Sequence, residues 1–178
     1  MKQSLIILAL AMCFAGTAGA AMTKDEYKAE KDRVQADHKT GKDRCSPLKA
    51  NAKDICKAEV KGNYEVAKAE LEARHEPSAR HDAKARSEKA AAAHAVAKEK
   101  CDDLSGNAKD VCKKDAKAAF VSAKADNKVS KAGADDRKEA REDKNDAMYS
   151  AAKERCDALK GDAKDSCAAD ARKKFGKT

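Results

Sequence analysis

The chain has no Trp, two Pro, eight Gly and only 3% aromatic residues among 178. Bulky apolar side chains are as scarce: Leu, Ile, Val and Phe supply 14 of the 158 residues after position 20. That share is far below the roughly one in five at which a packed core becomes hard to build. So few large groups cannot offset the ordering entropy of a thick-cored, enzyme-type domain. The near-absence of Pro and Gly has the opposite sense. Little interrupts long stretches rich in Ala, Lys and Glu, which favour helix. No phosphate-binding loop and no HExxH helix occurs, and the carboxylates alternate with Lys rather than standing in isolated apolar pairs. These features read as a non-enzymatic helical protein.

One apolar run breaks the pattern. Lys2 precedes Leu5 to Gly16, and Thr17-Ala18-Gly19-Ala20 follows. A positive start, a short apolar stretch and a small-x-small end are the marks of a secretory signal peptide, cleaved after Ala20. The run is too short to span a bilayer. Cys13 raises the alternative of a lipoprotein signal, but Met12 is too large for the residue expected before it. Export leads to an oxidising compartment, periplasmic or secreted, with no transmembrane segment after cleavage. Cleavage removes Cys13 and leaves six cysteines, an even number suited to three disulfides. It also moves the net charge from +8 to +7, with 38 basic residues against 31 acidic.

The main signal is a repeat. Cys45-SPLKANAKDI-Cys56, Cys101-DDLSGNAKDV-Cys112 and Cys156-DALKGDAKDS-Cys167 align without gaps, and their first cysteines lie 56 and 55 residues apart. Such recurrence marks a repeated structural unit. His38, His94 and Tyr149 stand seven residues before the first cysteine of each pair; Tyr64, Phe120 and Phe175 stand eight after the second.

The spacing predicts a stapled helical hairpin. Small or apolar residues precede each turn at intervals of three and four, as in Ala90, His94, Ala97, Cys101 and Leu104. Residues so spaced share one helical face. Gly106 and Gly161 follow the first helix of their hairpins, where a left-handed residue is favoured. Ala50 holds that place in the first repeat, a less comfortable turn. Asn51, Asn107 or Asp162 comes next, with an acid three residues later, a pattern close to a capping box. The second helix carries a stripe such as Cys56, Val60, Tyr64, Ala67 and Leu71. Each cysteine then sits near the connection and faces its partner. The rings form rungs further out: His38 with Tyr64, His94 with Phe120, Tyr149 with Phe175. Glu70/Arg74 and Asp82/Arg86 have the spacing of exposed intrahelical pairs.

Glu76-Pro77 marks a break between helices, and Gly133 a weaker one. The expected organisation is a signal peptide at 1–20 and hairpin repeats at 21–77, 78–133 and 134–178. The fold class is all-α: three disulfide-stapled antiparallel helical hairpins in tandem, strung out rather than bundled because apolar content is thin.

Other chemistries fit less well. Zinc sites pair close ligands such as C-x2-C, and redox sites use C-x-x-C; here ten residues stand between the cysteines of each pair. Tyr149 takes the place of His38 and His94, which suits packing better than ligation. His75 and His81 flank Pro77 and could form a weak metal site, but a solvated connector accounts for them better. Interspersed acids leave no basic stripe, so nucleic acid is not an expected partner. No cofactor or metal is expected.

The repeated C-x-x-L-x-G-N-A-K-D-x-C segment, clearest at Cys101 to Cys112, together with Met22-Thr23-Lys24-Asp25-Glu26-Tyr27, resembles a group of small exported Ala/Lys-rich proteins of Gram-negative bacteria. Some of these are labelled as similar to the TolA cell-envelope protein. The resemblance covers the whole mature chain and implies a cell-envelope location without an established activity. No specific partner follows from it; the net charge of +7 and an envelope location make envelope proteins or anionic envelope components the candidates. The function expected is a structural, spacer or stress-protective role in the periplasm. The alternative is binding of a metal, haem or a polyanion there.

Overall fold

A computed structural model describes residues 22–129 and 134–177. The expected signal segment at 1–20, with Cys13, and the break at Gly133 lie outside them. The described residues form six helices and no strand: α1 (Lys24–Cys45), α2 (Ala50–His75), α3 (Ala79–Cys101), α4 (Gly106–Val129), α5 (Ala134–Cys156) and α6 (Gly161–Phe175).

Local chemistry sets several of the ends. Thr23 caps α1 through a full capping box: its hydroxyl accepts from the Glu26 amide, and the Glu26 carboxylate accepts from the Thr23 amide. Ser78 caps α3 by accepting from the His81 amide. Between α2 and α3 the chain turns at Glu76 and Pro77, as the sequence predicts. The hairpin turns pass through left-handed backbone at Ala50 (φ 47°), Gly106 (φ 54°) and Gly161 (φ 55°). Glycine adopts this conformation freely; alanine at position 50 carries a steric penalty of about 1–2 kcal/mol.

The turns depart from the expected pattern in two ways. The residues at the N-cap positions of α2 and α6 are Lys49 and Lys160, in extended backbone and without a side-chain cap. Asn51 lies inside the first turn of α2, and its amide donates to the Glu99 carbonyl of α3 at 2.7 Å. Second, α1, α3 and α5 end at their cysteines, so the stripe stops there. Leu48, Leu104 and Leu159 fall in the turns and remain 38–43% exposed.

Successive helices run antiparallel, and among the described residues each packs only against its neighbours in the chain. The result is a single layer of helices in series with no shared centre. Its buried residues are almost all Ala and Cys, with Leu71 the one large aliphatic side chain among them.

Two kinds of seam hold the layer together. Hairpin seams (α1–α2, α3–α4, α5–α6) carry the disulfides and the ring pairs. Junction seams (α2–α3, α4–α5) bury Ala69, Ala85, Ala118, Ala125 and Ala140. Gly62 approaches Ala92 so closely that a Cβ there would lie 2.7 Å from the alanine methyl. Ion pairs bridge both junctions: Lys89–Glu70 at 2.6 Å, Lys100–Glu59 at 3.6 Å and Lys144–Asp126 at 3.0 Å, together with Arg155–Asp115. Glu70 thus turns to the next helix instead of to Arg74. Arg86 likewise donates to Asn127 of α4 rather than pairing with Asp82. Long side chains at a seam reach the neighbouring helix as readily as their own next turn.

Candidate functional site

The chemistry-bearing side chains lie along the hairpin seams. Cys45–Cys56, Cys101–Cys112 and Cys156–Cys167 are bonded, each with Cα atoms 5.6 Å apart, a usual disulfide separation. Each bond ties the last residue of one helix to the first turns of the next. Ala and Gly beside the bond allow that approach. At the level above it Gly41 meets the Val60 methyls. The same register holds Ala97 and Ala116 in the second hairpin, and Ala152 and Ala171 in the third. The smallest residue opposite the larger one is exchanged for two alanines, so similar volume fills each seam.

The structure brings the six predicted ring residues together in three pairs. His38 stacks on Tyr64 with centroids 4.2 Å apart, His94 stacks on Phe120 at 4.7 Å, and Tyr149 meets Phe175 edge-on at 6.3 Å. Lys68 and Lys124 lie over the Tyr64 and Phe120 rings at 4.9 and 5.5 Å; such contacts are favourable by about 0.5–1 kcal/mol at exposed sites. Burial pushes the His94 imidazole below its ordinary pKa, and the nearby charges of Lys98 and Lys117 add to this.

A fourth ring pair went unread in the sequence. Tyr27 stacks on His75 with centroids 4.2 Å apart, the Tyr27 hydroxyl donates to Glu72 at 3.3 Å, and His75 Nδ1 lies 3.1 Å from the Met22 carbonyl. Burial first, and then the Glu72 charge, pushes the Tyr27 phenol up. The pair closes the open end of the first hairpin. Its signal was present: Tyr27 lies 18 residues before Cys45 and His75 lies 19 after Cys56, the same one-residue offset that pairs His38 with Tyr64. His75 thus belongs to a seam. His81 faces the Glu76 carbonyl at 2.6 Å, so the two histidines flanking Pro77 serve separate partners.

The repeated Ala-Lys-Asp segment also acquires a physical role. Its lysine reaches back across each turn. Lys53 donates to the Ser46 carbonyl at 3.1 Å, and Lys109 and Lys164 pair with Asp102 and Asp157 at 2.9 Å. Lys113 joins Asp102 at 2.9 Å as well. Hydrogen bonds from these two lysines hold the Asp102 carboxyl at about 2, and Lys164 lowers Asp157 in the same sense.

One groove, about 790 Å³ in volume, runs between α3, α4 and α5 over Phe120, Val121 and Ala125, with Lys117 and Lys124 beside it. Among the described residues no three His, Cys, Asp or Glu side chains converge as a metal-binding set. No described helix is long and apolar enough to cross a membrane. Three disulfides built into the helix connections are those of a chain that folds in an oxidising, extracytoplasmic environment. No protein-family model, curated protein or solved structure matches the chain.

Proposed function

We propose that this chain is a non-enzymatic periplasmic spacer that helps the cell envelope withstand stress. One observation carries the reading. The cysteines described and six of the eight rings in the four pairs stand at repeated positions, and all of them hold one helix to the next. A single layer of stapled helices resists loss of structure without needing a thick core. It also sets a length through the number of hairpins. The signal-like segment at 1–20 and the resemblance to exported Ala/Lys-rich envelope proteins support the location.

The experiment is a deletion strain challenged with osmotic, detergent and acid stress. Loss of envelope integrity, restored by the full gene but not by one encoding Cys→Ala at all six seam positions, is the expected result. Unaltered integrity under all three stresses rejects the role. Fractionation tests the compartment separately: protein recovered from cytoplasm with free thiols would reject it.

A second reading, binding of a polyanion, is favoured by the groove over Phe120 with Lys117 and Lys124 beside it. It predicts binding to anionic vesicles or to lipopolysaccharide that weakens steeply between low and physiological salt. A flat salt response rejects it.

A further inference from the structure

The two junctions inside the chain use matching residues. On α3 the face toward α2 carries Ala85, Lys89 and Ala92, and α5 presents Ala140, Lys144 and Ala147 to α4 at the same positions relative to the following cysteine. Lys89 pairs with Glu70 and Lys144 with Asp126. Helix α1 carries the set again as Ala29, Arg33 and Ala36. No described helix packs on that side of α1, and both alanines are exposed there. In the interior junctions, by contrast, Ala85 and Ala140 are buried. Arg33 is left to pair with Glu30 and Asp37 of its own helix.

A second register identifies what fits this face. The residue before each first cysteine is basic: Arg44, Lys100, Arg155. The residue three after each second cysteine is acidic: Glu59, Asp115, Asp170. Inside the chain these join across the junctions, as Lys100–Glu59 and Arg155–Asp115. Two members are left over at opposite ends of the layer. Arg44 on α1 and Asp170 on α6 are exposed, and neither has an ion pair among the described residues. They are the two halves of the pair already formed twice.

We propose that the exposed face of α1 docks α6 of a second copy of this chain, head to tail, with Arg44 meeting Asp170 of the next molecule as Lys100 meets Glu59. Ala169 stands in α6 where Ala58 stands in α2, so the contact begins with the same small residue. Lys173 replaces Gly62 and Ala118 one turn later, which holds the helices further apart at that level. The contact is accordingly confined to the disulfide ends, and it is weaker than the interior junctions and sensitive to salt. Because it joins two different surfaces, it propagates instead of closing as a symmetric dimer. The inference stands independently of the envelope role.

The test is sedimentation velocity on the full oxidised chain, without its signal segment, across a concentration series at low and physiological salt. Expected are species growing beyond dimers at low salt. Arg44→Glu or Asp170→Arg should weaken association by about tenfold, and the double reversal should restore it. Ala36→Arg, which would stand opposite Lys173 of the next molecule as Ala92 stands opposite Gly62, should weaken association by like-charge repulsion while leaving Arg44 and Asp170 unchanged. Circular dichroism and thiol counting confirm that each variant is folded. A monomer at every concentration overturns the proposal. So does association that stops at a dimer and ignores Asp170→Arg, which would mean that two α1 faces pair with each other.

Discussion

The hairpin seams and the junction seams hold the same kind of helix by different means. A hairpin seam has a covalent bond at one end, a ring pair one or two turns further out, and in the first hairpin a second ring pair at the open end. A junction has none of these. It relies on alanine against alanine, one glycine at close approach, and ion pairs at its rim. Exposed ion pairs contribute about 0–1 kcal/mol each, and alanine buries little area. The junctions therefore depend on fit along their length, whereas the hairpins depend on a few strong ties. An array can be extended by adding hairpins because the strong ties are local to each one.

The sharpest way to break this contrast is to remove a staple. Closing a loop of this size stabilises by about 3 kcal/mol. Cys101→Ala with Cys112→Ala should cost roughly that amount and melt α3 and α4 before the outer helices, as read by hydrogen exchange. Full reduction should unfold the chain. If reduced protein keeps its helical signal and melting temperature, the staples are not what holds the hairpins.

The next test sets a junction glycine against a hairpin glycine. A Cβ at Gly62 would meet the Ala92 methyl at 2.7 Å and its Cα at 3.2 Å, so backbone must move. Gly62→Ala should destabilise by about 1–2 kcal/mol, the overpacking cost exceeding the gain in helix propensity. A Cβ at Gly41 meets only the Val60 side chain, its methyls at 2.9 Å and its Cβ at 3.5 Å. Gly41→Ala should therefore cost less, and adding Val60→Ala should recover the loss by recreating the Ala97/Ala116 pairing. Equal effects at both glycines in thermal melts would remove the distinction between the seams.

A smaller change acts on a turn. Ala50 holds a left-handed conformation that Gly106 and Gly161 hold in the other repeats. Ala50→Gly should raise stability by about 1 kcal/mol. A loss of stability would mean that the alanine side chain makes a contact worth more than its strain.

The hairpins were legible in the sequence because their ties use rare residues. Six cysteines and a handful of rings, set at fixed offsets, leave little choice of partner. The junctions were hidden because alanine is also the commonest helix former here, so Ala85 and Ala92 look like propensity rather than contact. The leucines misled for a different reason. Leu48, Leu104 and Leu159 continue the three-and-four spacing of the stripe, but the helices stop at Cys45, Cys101 and Cys156, and the next helix begins at the left-handed residue two positions after each leucine, so the spacing has no helix to act on. Tyr27–His75 escaped because the other repeats do not share it; Ala83 stands where Tyr27 would. The lysine of Ala-Lys-Asp gave no hint of its role until the turn brought Asp102 or Asp157 beneath it.

The finest test concerns a single imidazole in a hairpin seam. Burial on Phe120, reinforced by Lys98 and Lys117, lowers the His94 pKa below 6.5. The unfolded chain then binds a proton at a pH where the folded chain does not. Stability contributed here rises with pH. It is complete above the unfolded value, falls as pH drops through that value, and is fully lost below the folded one. His94→Phe keeps a ring on Phe120 but has nothing to protonate. The difference in stability between this variant and the wild type, followed by denaturant titration from pH 7.5 to 4.5, should grow in favour of Phe as pH falls. The equivalent ring in the third hairpin, Tyr149, already lacks an imidazole, so Tyr149→Phe should give a difference that does not change over this range. If His94→Phe shows the same flat difference, the imidazole titrates as it would in an open chain, and the seam at that level is wetter than its stacking geometry implies.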